Sequence, residues 1–375
     1  MYIHYLSLSE LPSQTANAVH VMKMSAAFVG LGHIVTLHAK SGGTEEDLHT
    51  LYNTPKNFSI ALHKRPPVPK VGAAMYACSV AMSCRLARPV PDLAYGRDPF
   101  ALLAATWMGM PTVLELHSLP EKPMWIRAIR ALLRSRHLLG LVTISRSLRD
   151  DLALLFALDS DMIFVASDAA DDPYGGCLPS PLPTGKETMR IGYVGSLYKG
   201  RGIERIIALA ERCPDIEFVI VGGAPHEVEV WHRVSNAGNI RYTGHVPHAE
   251  LGRYYAGFDA MLAPYERNVA VAGNKGDTGK YMSPLKIFEY MSYGKPIVAT
   301  KLAVLDEIEQ LETFCFSPEL ENTDQWVQCL HRLADDPALR ARMGEQAYSV
   351  FLHHFTWKTR ARNIMEWLRQ RIPGA

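Results

Sequence analysis

The sequence predicts an α/β protein made of two doubly wound domains, each a parallel sheet covered by helices. Three observations predict it. The chain has 375 residues, too long for one ordinary domain and suited to two. Short β-rich runs alternate with helical stretches through both halves, the pattern of a parallel sheet with crossover helices. Many of the β-rich runs are continuously apolar, as strands covered on both faces require.

In the first half the expected strands lie near Ile3–Ser7, His33–Ala39, Asp92–Tyr95, Thr112–Leu116, Leu139–Ile144 and Ile163–Ala166. In the second they lie near Ile191–Val194, Phe218–Val221, Ile240–Thr243, Ala260–Ala263 and Pro296–Ala299. Between them, residues 173–190 (PYGGCLPSPLPTGKETMR) are rich in proline and glycine and lack periodicity, which marks a linker. The domains are therefore expected at 1–172 and 191–354. The carboxyl ends of both sets of strands are expected to face a shared cleft, where ligands of such sheets bind.

Composition narrows the function. Hydrophobic residues make up 48% and the formal net charge is +1, which gives no whole-chain case for nucleic acid. No apolar run reaches the length of about 18 residues that a spanning helix needs. The opening MYIHYLSLSE lacks a basic start and a cleavage site, so no signal peptide is expected. The cysteines at 78, 84, 177, 213, 315 and 329 form no Cys-x-x-Cys pair; they read as small buried hydrophobes in a reducing cytoplasm, not as a zinc site. Charge is uneven: Ile60–Arg149 holds thirteen Lys/Arg against four Asp/Glu. Such a surplus fits a face that meets something anionic, and equally a set of solvated basic helices.

Four segments carry candidate chemistry. In Ile191–Gly202 (IGYVGSLYKGRG) a strand runs into a glycine-rich turn and then a helix. Glycines let backbone approach a ligand, helix N-termini favour phosphate, and Arg201 adds a forked donor for phosphate oxygens. A plain tight turn at Gly200 and Gly202 explains the same glycines. The segment is neither a dinucleotide fingerprint nor a Walker A loop. In Ser283–Met291 (SPLKIFEYM), Ser283 fits an N-cap and Pro284 the first helical position, with Gly294 as the stop. Lys286 then falls in the first turn, where the helix dipole disfavours a cation. A bound anion resolves that conflict, and Glu289, three residues on, shares the face and suits ribose hydroxyls. The alternative is an ordinary surface Lys–Glu pair. Val113–Ser118 (VLELHS) ends a strand, so His117 points into the expected cleft as a donor to a sugar hydroxyl or as a structural histidine. Arg97 also follows a strand and either meets the acceptor or pairs with Asp98. Two further features read as bland. Asp159-Ser160-Asp161 resembles a metal-binding Asp-x-Asp but lacks other hard ligands around it. Trp125–Leu139, with Arg127, Arg130 and Arg134 on one helical side, suits anionic lipid or plain solvent, and His63–Lys70 adds to the basic character.

In this order the motifs resemble glycosyltransferase family 4, the retaining enzymes of GT-B architecture. The resemblance is strongest from Ile191 to Ile308, through GYVGSLYKGRGIE, FVIVGG, IRYTGHVPHAELGRYYAGFDAMLAPY, SPLKIFEYMSYGKPIVAT and LDEI. VLELHS and VTISRSLRDDL match more loosely, and Phe355-Thr356-Trp357-Lys358 resembles the family segment whose helix returns to the first domain, here 355–375. The resemblance implies a nucleotide-sugar donor, UDP- or GDP-linked, and a glycan or lipid-linked acceptor. It places Gly195, Ser196, Arg201, Gly202 and Gly222 at the diphosphate, and His245 and Val246 at the base. Ser283, Pro284, Leu285, Lys286 and Glu289 complete the donor site, with Glu289 at the ribose. His117 falls near the transferred sugar, and Ala16, Asn17, Arg97 and His117 toward the acceptor. His117, Arg201 and Lys286 are the candidate catalytic residues. Tyr281 stands where the family has the first glutamate of its Glu-x7-Glu motif; Asp277 or Glu266, in the loop 266–282, is the candidate to take its place. Ser196 stands where an arginine is common.

The expected reaction needs neither cofactor nor metal, because the cations and helix-terminal N–H groups stabilise the departing diphosphate. The expected setting is cytoplasmic, with peripheral contact to an anionic membrane, in cell-surface polysaccharide or glycoconjugate synthesis. Two other readings stand beside it: a catalytically silent nucleotide-sugar-binding protein, and a different two-domain sugar-nucleotide enzyme.

Overall fold

The computed structural model describes residues 1–13, 15–43, 47–66, 71–173, 179–183, 188–235, 237–268 and 279–372. The chain divides into two compact units, Met1–Ser167 with Trp357–Ala375, and Asp168–Thr356. In chain order the first stretch runs β1 (Tyr2–Leu11), α1 (Ala16–Gly30), β2 (Ile34–Ser41), α2 (Leu48–Leu51), β3 (Ser59–His63), α3 (Gly72–Leu86), β4 (Leu93–Gly96), α4 (Pro99–Trp107), β5 (Thr112–Leu116), α5 (Pro123–Leu133), β6 (Leu138–Thr143), α6 (Arg146–Phe156) and β7 (Ile163–Val165). There follow β8 (Arg190–Val194), α7 (Ile203–Arg212), β9 (Glu217–Val221), α8 (Pro225–Val234), β10 (Ile240–Gly244), α9 (Leu251–Ala256), β11 (Ala260–Ala263), α10 (Leu285–Ser292), β12 (Ile297–Ala299), β13 (Cys315–Phe316), α11 (Thr323–Asp335), α12 (Pro337–His354) and α13 (Trp357–Arg369).

The first unit is a seven-stranded sheet in the order β3-β2-β1-β4-β5-β6-β7, parallel at every pairing. The order reverses between β1 and β4, the switch point at which such sheets bind ligands. Every residue of β4 and β5 is buried, which explains why these strands read as apolar runs. The helix α13 belongs to this unit: Ala361, Ile364, Met365 and Leu368 join the core formed by α1 and β1. Gly140 lets it approach, because a Cβ there would lie 2.6 Å from the Trp367 ring at a φ of +154°.

The second unit is a six-stranded parallel sheet in the order β10-β9-β8-β11-β12-β13, with its switch point between β8 and β11. Both β8 and β9 are wholly buried. One core, with Phe288, Tyr290 and Met291 of α10, covers one face. A second, with Ile203, Ile206 and Ile207 of α7 and Trp326, Leu330 and Leu333 of α11, covers the other.

Two strands escape the sequence pattern, β3 and β13. Both are sheet edges. Strand β3 buries none of its five residues fully, and β13 has two residues, so neither leaves an apolar run to read. No helix of the described residues is long and apolar enough to cross a membrane.

Candidate active site

In the second unit the predicted donor residues gather at the carboxyl end of β8, beside the switch point. The turn after β8 is shaped by glycines that no other residue replaces. Gly195 has φ +149°, and a Cβ on it would lie 2.2 Å from Lys286 Nζ. Gly202, the N-cap of α7, has φ +78°, and its Cβ would lie 1.8 Å from the Pro264 carbonyl oxygen. Gly195 N–H donates to Val221 O at 2.9 Å and Gly222 N–H to Gly244 O at 2.9 Å. The ends of β8, β9 and β10 are thereby tied into one floor.

Lys286 reaches over this floor from the first turn of α10. Its ammonium donates to Tyr193 Oη at 2.6 Å and sits 4.0 Å from the centre of that ring and 5.9 Å from that of Tyr265. Arg201 faces Tyr265 from 5.9 Å and hydrogen-bonds its hydroxyl. Burial, then the Arg201 charge, push the Lys286 ammonium well below its ordinary range, and Glu289 opposes them. Two cations sharing the Tyr265 ring, one of them penalised for its charge, form a site that an anion would stabilise. Tyr193, itself buried, donates its own hydroxyl hydrogen bond to Ser196 O at 2.7 Å.

Glu289 is half-buried and accepts from Tyr255 Oη at 3.1 Å, with His248 Nε2 at 4.0 Å. Burial raises its pKa above the usual carboxylate value, against His248 and Tyr255. His245 is exposed beyond β10, and Val246 packs against the core beneath it. The expected N-cap is corrected: Pro284, with φ −81° and ψ 77°, caps α10 and Leu285 begins it. Ser283 is spent elsewhere, its hydroxyl accepting from Asp168 N–H at 2.8 Å. The helix ends at Ser292, with Gly294 at φ +61° just beyond. Of the carboxylates near Tyr281, Asp277 lies outside the described residues, while Glu266 N–H donates to Gly200 O at 2.9 Å. Lys280 lies 5.3 Å from the Tyr281 ring centre.

In the first unit His117 follows β5 and donates toward Glu115 Oε1, 2.5 Å from its Nε2. Glu115 is fully buried inside an apolar strand, where a lone charge is costly. The fold surrounds it: Arg360 Nη2 of α13 at 2.8 Å, His20 Nε2 of α1 at 3.0 Å, Tyr5 Oη at 3.5 Å, and a short bond from Tyr95 Oη. Burial alone would raise the Glu115 pKa, but Arg360 and then His20 outweigh it and hold the carboxyl well below its ordinary range. The His20 ring meets His117 edge-on at 4.7 Å and Trp357 at 5.3 Å. Sequence reading singled out His117 but missed Glu115, His20 and Arg360. The available signal was a carboxylate within Val113-Leu114-Glu115-Leu116, since a charge in a fully buried strand demands partners.

Arg97 pairs with Asn17, donating to its Oδ1, and Asn17 Nδ2 donates to Ser9 Oγ at 2.6 Å. Asp98 instead caps α4, accepting Phe100 N–H at 2.9 Å. Arg97 and Asn17 are thus one hydrogen-bonded group near the ends of β1 and β4, and Ala16 opens α1 exposed beside it. Asp159 accepts Asp161 N–H at 3.1 Å and caps a single 3-10 turn, the ordinary role of such a residue. Within 63–70, residues 67–70 lie outside the described residues, as does Cys177.

Comparison with known proteins places this arrangement. A family model described as Glycosyltransferase Family 4 matches residues 18–171, and one described as Glycosyl transferase-like matches 201–366. A putative teichuronic acid biosynthesis glycosyltransferase, TuaH of Bacillus subtilis (strain 168), is 24% identical over 127 residues, 34% of this chain and 30% of that relative. Among solved structures, a glycosyltransferase from Rickettsia africae ESF-5 superposes with a TM-score of 0.76 at 14% identity, covering 100% of this chain and 99% of the other. Anabaena HepE in complex with UDP does so with a TM-score of 0.70 at 17% identity over 99% and 100% of the two chains. WaaG, a glycosyltransferase involved in lipopolysaccharide biosynthesis, gives 0.63 at 14% identity over 100% of both. The two family models fall on successive halves, each carrying its own Rossmann-like parallel sheet, and the chain therefore belongs to the family-4 type of glycosyltransferases of GT-B architecture.

Proposed function

We propose that the protein is a retaining hexosyltransferase that moves a sugar from a UDP- or GDP-linked donor to a glycan or lipid-linked acceptor. The observation that carries the donor assignment is Lys286: a first-turn lysine held against Gly195, beside Arg201, with its charge disfavoured until an anion arrives. The UDP complex of HepE, a protein of the same fold, supports a nucleotide donor.

In the proposed reaction the bond from the anomeric carbon to the β-phosphate oxygen breaks as an acceptor hydroxyl oxygen bonds to that carbon. The acceptor proton passes to the departing phosphate. Charge on the nucleoside diphosphate grows as the bond breaks, so Arg201 and Lys286 bind the transition state more strongly than the ground state. These two cations provide the charge that a divalent metal would otherwise provide, so the transfer is proposed to be metal-independent. Ser196, Gly202 and Gly222 line the diphosphate, Glu289 takes ribose hydroxyls, and His245 and Val246 border the base. His117, its Nε2–H held by Glu115, presents its other ring nitrogen to a hydroxyl of the transferred sugar, and Arg97 and Asn17 bind the acceptor.

The product is proposed to enter a cell-surface polysaccharide or glycoconjugate made at the cytoplasmic membrane face, in keeping with the roles printed for TuaH and WaaG. Helix α5 supports peripheral contact: it buries Ala128, Ile129 and Leu132 and leaves Arg127, Arg130 and Met124 exposed. Failure to sediment with anionic vesicles at low salt refutes that contact.

The decisive experiment is a melting panel of nucleoside diphosphates and their sugars. A true donor raises the melting temperature by mass action, by roughly 2.7 kcal/mol of stabilisation at a hundredfold excess over Kd. If no member shifts melting, the donor site is misassigned.

A further inference from the structure

The first unit holds a second cluster of chemistry-bearing side chains, away from His117 and unused by the proposed transfer. His4 of β1, His38 of β2 and Cys84 of α3 converge beneath α3, and all three are at most 1% exposed. His38 Nε2 lies 2.7 Å from His4 Nδ1, His4 Nδ1 lies 3.2 Å from Cys84 Sγ, and Cys84 Sγ lies 3.9 Å from His38 Nε2. A hydrogen on one of these atoms can satisfy only one edge of that triangle well. A cation at its centre satisfies all three.

We propose that His4 Nδ1, His38 Nε2 and Cys84 Sγ bind a divalent cation that prefers nitrogen and sulfur, with Zn²⁺ the best fit. Four-coordinate zinc binds imidazole at about 2.0–2.1 Å and thiolate at about 2.3 Å, which sets ligand separations of roughly 3.3 Å between nitrogens and about 3.6 Å between nitrogen and sulfur. The observed separations differ from these by no more than about 0.6 Å, so small side-chain adjustments complete the geometry. As neutral imidazoles, His4 and His38 each offer one ring-nitrogen lone pair to a cation. Binding releases the Cys84 proton and gives a thiolate, which offsets one of the two metal charges.

The outer contacts of His38 match what a metal-bound histidine has. His38 Nδ1 lies 2.9 Å from His63 Nε2, and His63 Nδ1 lies 3.2 Å from Ser79 Oγ. His38 can therefore donate its second N–H outward while its first nitrogen holds the cation. An open pocket of about 550 Å³, lined in part by His4, His63, Ser79 and Ser83, adjoins the cluster at His4 and is the side from which a cation would enter. The three ligands come from separate elements, so the cation fastens α3 onto β1 and β2. Linear spacing hid the site: no two of its ligands lie within a short motif.

The test uses the full chain purified without a histidine tag, loaded with equimolar Co²⁺ or Zn²⁺ and desalted. The expected result is about one retained equivalent, with the intense visible bands of tetrahedral cobalt and a thiolate-to-cobalt charge-transfer band. Cys84→Ser, a near-isostere, should abolish the charge-transfer band while its circular dichroism stays that of the parent. His38→Asn should weaken retention at least about tenfold. A folded parent chain that retains no metal overturns the proposal and leaves a metal-free histidine relay. A charge-transfer band that survives Cys84→Ser overturns it as well.

Discussion

Replacing Lys286 by methionine separates a residue that builds the fold from one that waits for an anion. In the nucleotide-free protein the substitution removes one hydrogen bond, Lys286 Nζ to Tyr193 Oη at 2.6 Å, worth about 1 kcal/mol. It also removes a cation that burial and Arg201 disfavour. The two effects oppose, so the melting temperature of the free protein should move by no more than a few degrees, at roughly 2–4 °C per kcal/mol for a unit of this size. With nucleoside diphosphate the outcome differs sharply. A charge-assisted bond to phosphate is worth about 1.5–3 kcal/mol, so affinity should fall roughly 10- to 100-fold. At an excess that saturates the parent protein, the variant should lose up to about 2.7 kcal/mol of ligand stabilisation, or roughly 5–10 °C of melting shift. The proton balance gives a second readout. A lysine whose folded pKa is depressed binds fewer protons in the free folded state than in the unfolded one, so stability rises with pH from the depressed value up to about 10.4. A bound anion restores the proton. Titration calorimetry in buffers of different ionisation enthalpy should thus show proton uptake on binding, at pH above the depressed value, in the parent and not in Lys286→Met. A variant that melts far below the parent without ligand, yet keeps the full nucleotide shift, refutes the reasoning.

Two further substitutions test the neighbouring parts. Glu115→Gln leaves Arg360 buried without its counter-charge and should cost about 3–5 kcal/mol in urea unfolding. Because the Glu115 pKa is lowered in the folded state, its contribution is present above the unfolded value of about 4.3 and fades as pH falls below it, so the gap between parent and variant should narrow in acid; a gap that is constant from neutral pH to acid contradicts this. Gly202→Ala must place a Cβ 1.8 Å from Pro264 O at φ +78°, which should cost roughly 2–4 kcal/mol and weaken nucleotide binding, and unchanged melting would show that the turn rearranges freely.

The sequence is most legible where burial is symmetrical. Strands such as β8 and β9 are covered on both faces, so their apolar runs mark them directly. The edges β3 and β13 carry no such constraint and are read only from their pairing. In the site, Lys286 stands out because it breaks a local rule and Gly195 because it sits in a glycine-rich turn, and the structure brings these two together. Ser283 was misread because serine before proline fits an N-cap equally well, and only the Asp168 amide decides its use. Glu115 and Arg360 are separated by 245 residues, and His4, His38 and Cys84 come from three elements. No periodicity or spacing rule reaches that far.

The return of α13 to the first unit has a consequence for synthesis. The second unit is continuous in the chain, whereas the first lacks its Glu115 counter-charge and part of its α1 core until residues 357–369 have been translated. During translation the earlier-made sheet therefore waits, with an apolar flank uncovered and a carboxylate unneutralised, while the later-made one has every segment it needs. The order of maturation runs opposite to the order of synthesis, and the nascent first unit is the part that depends most on protection from aggregation at the ribosome.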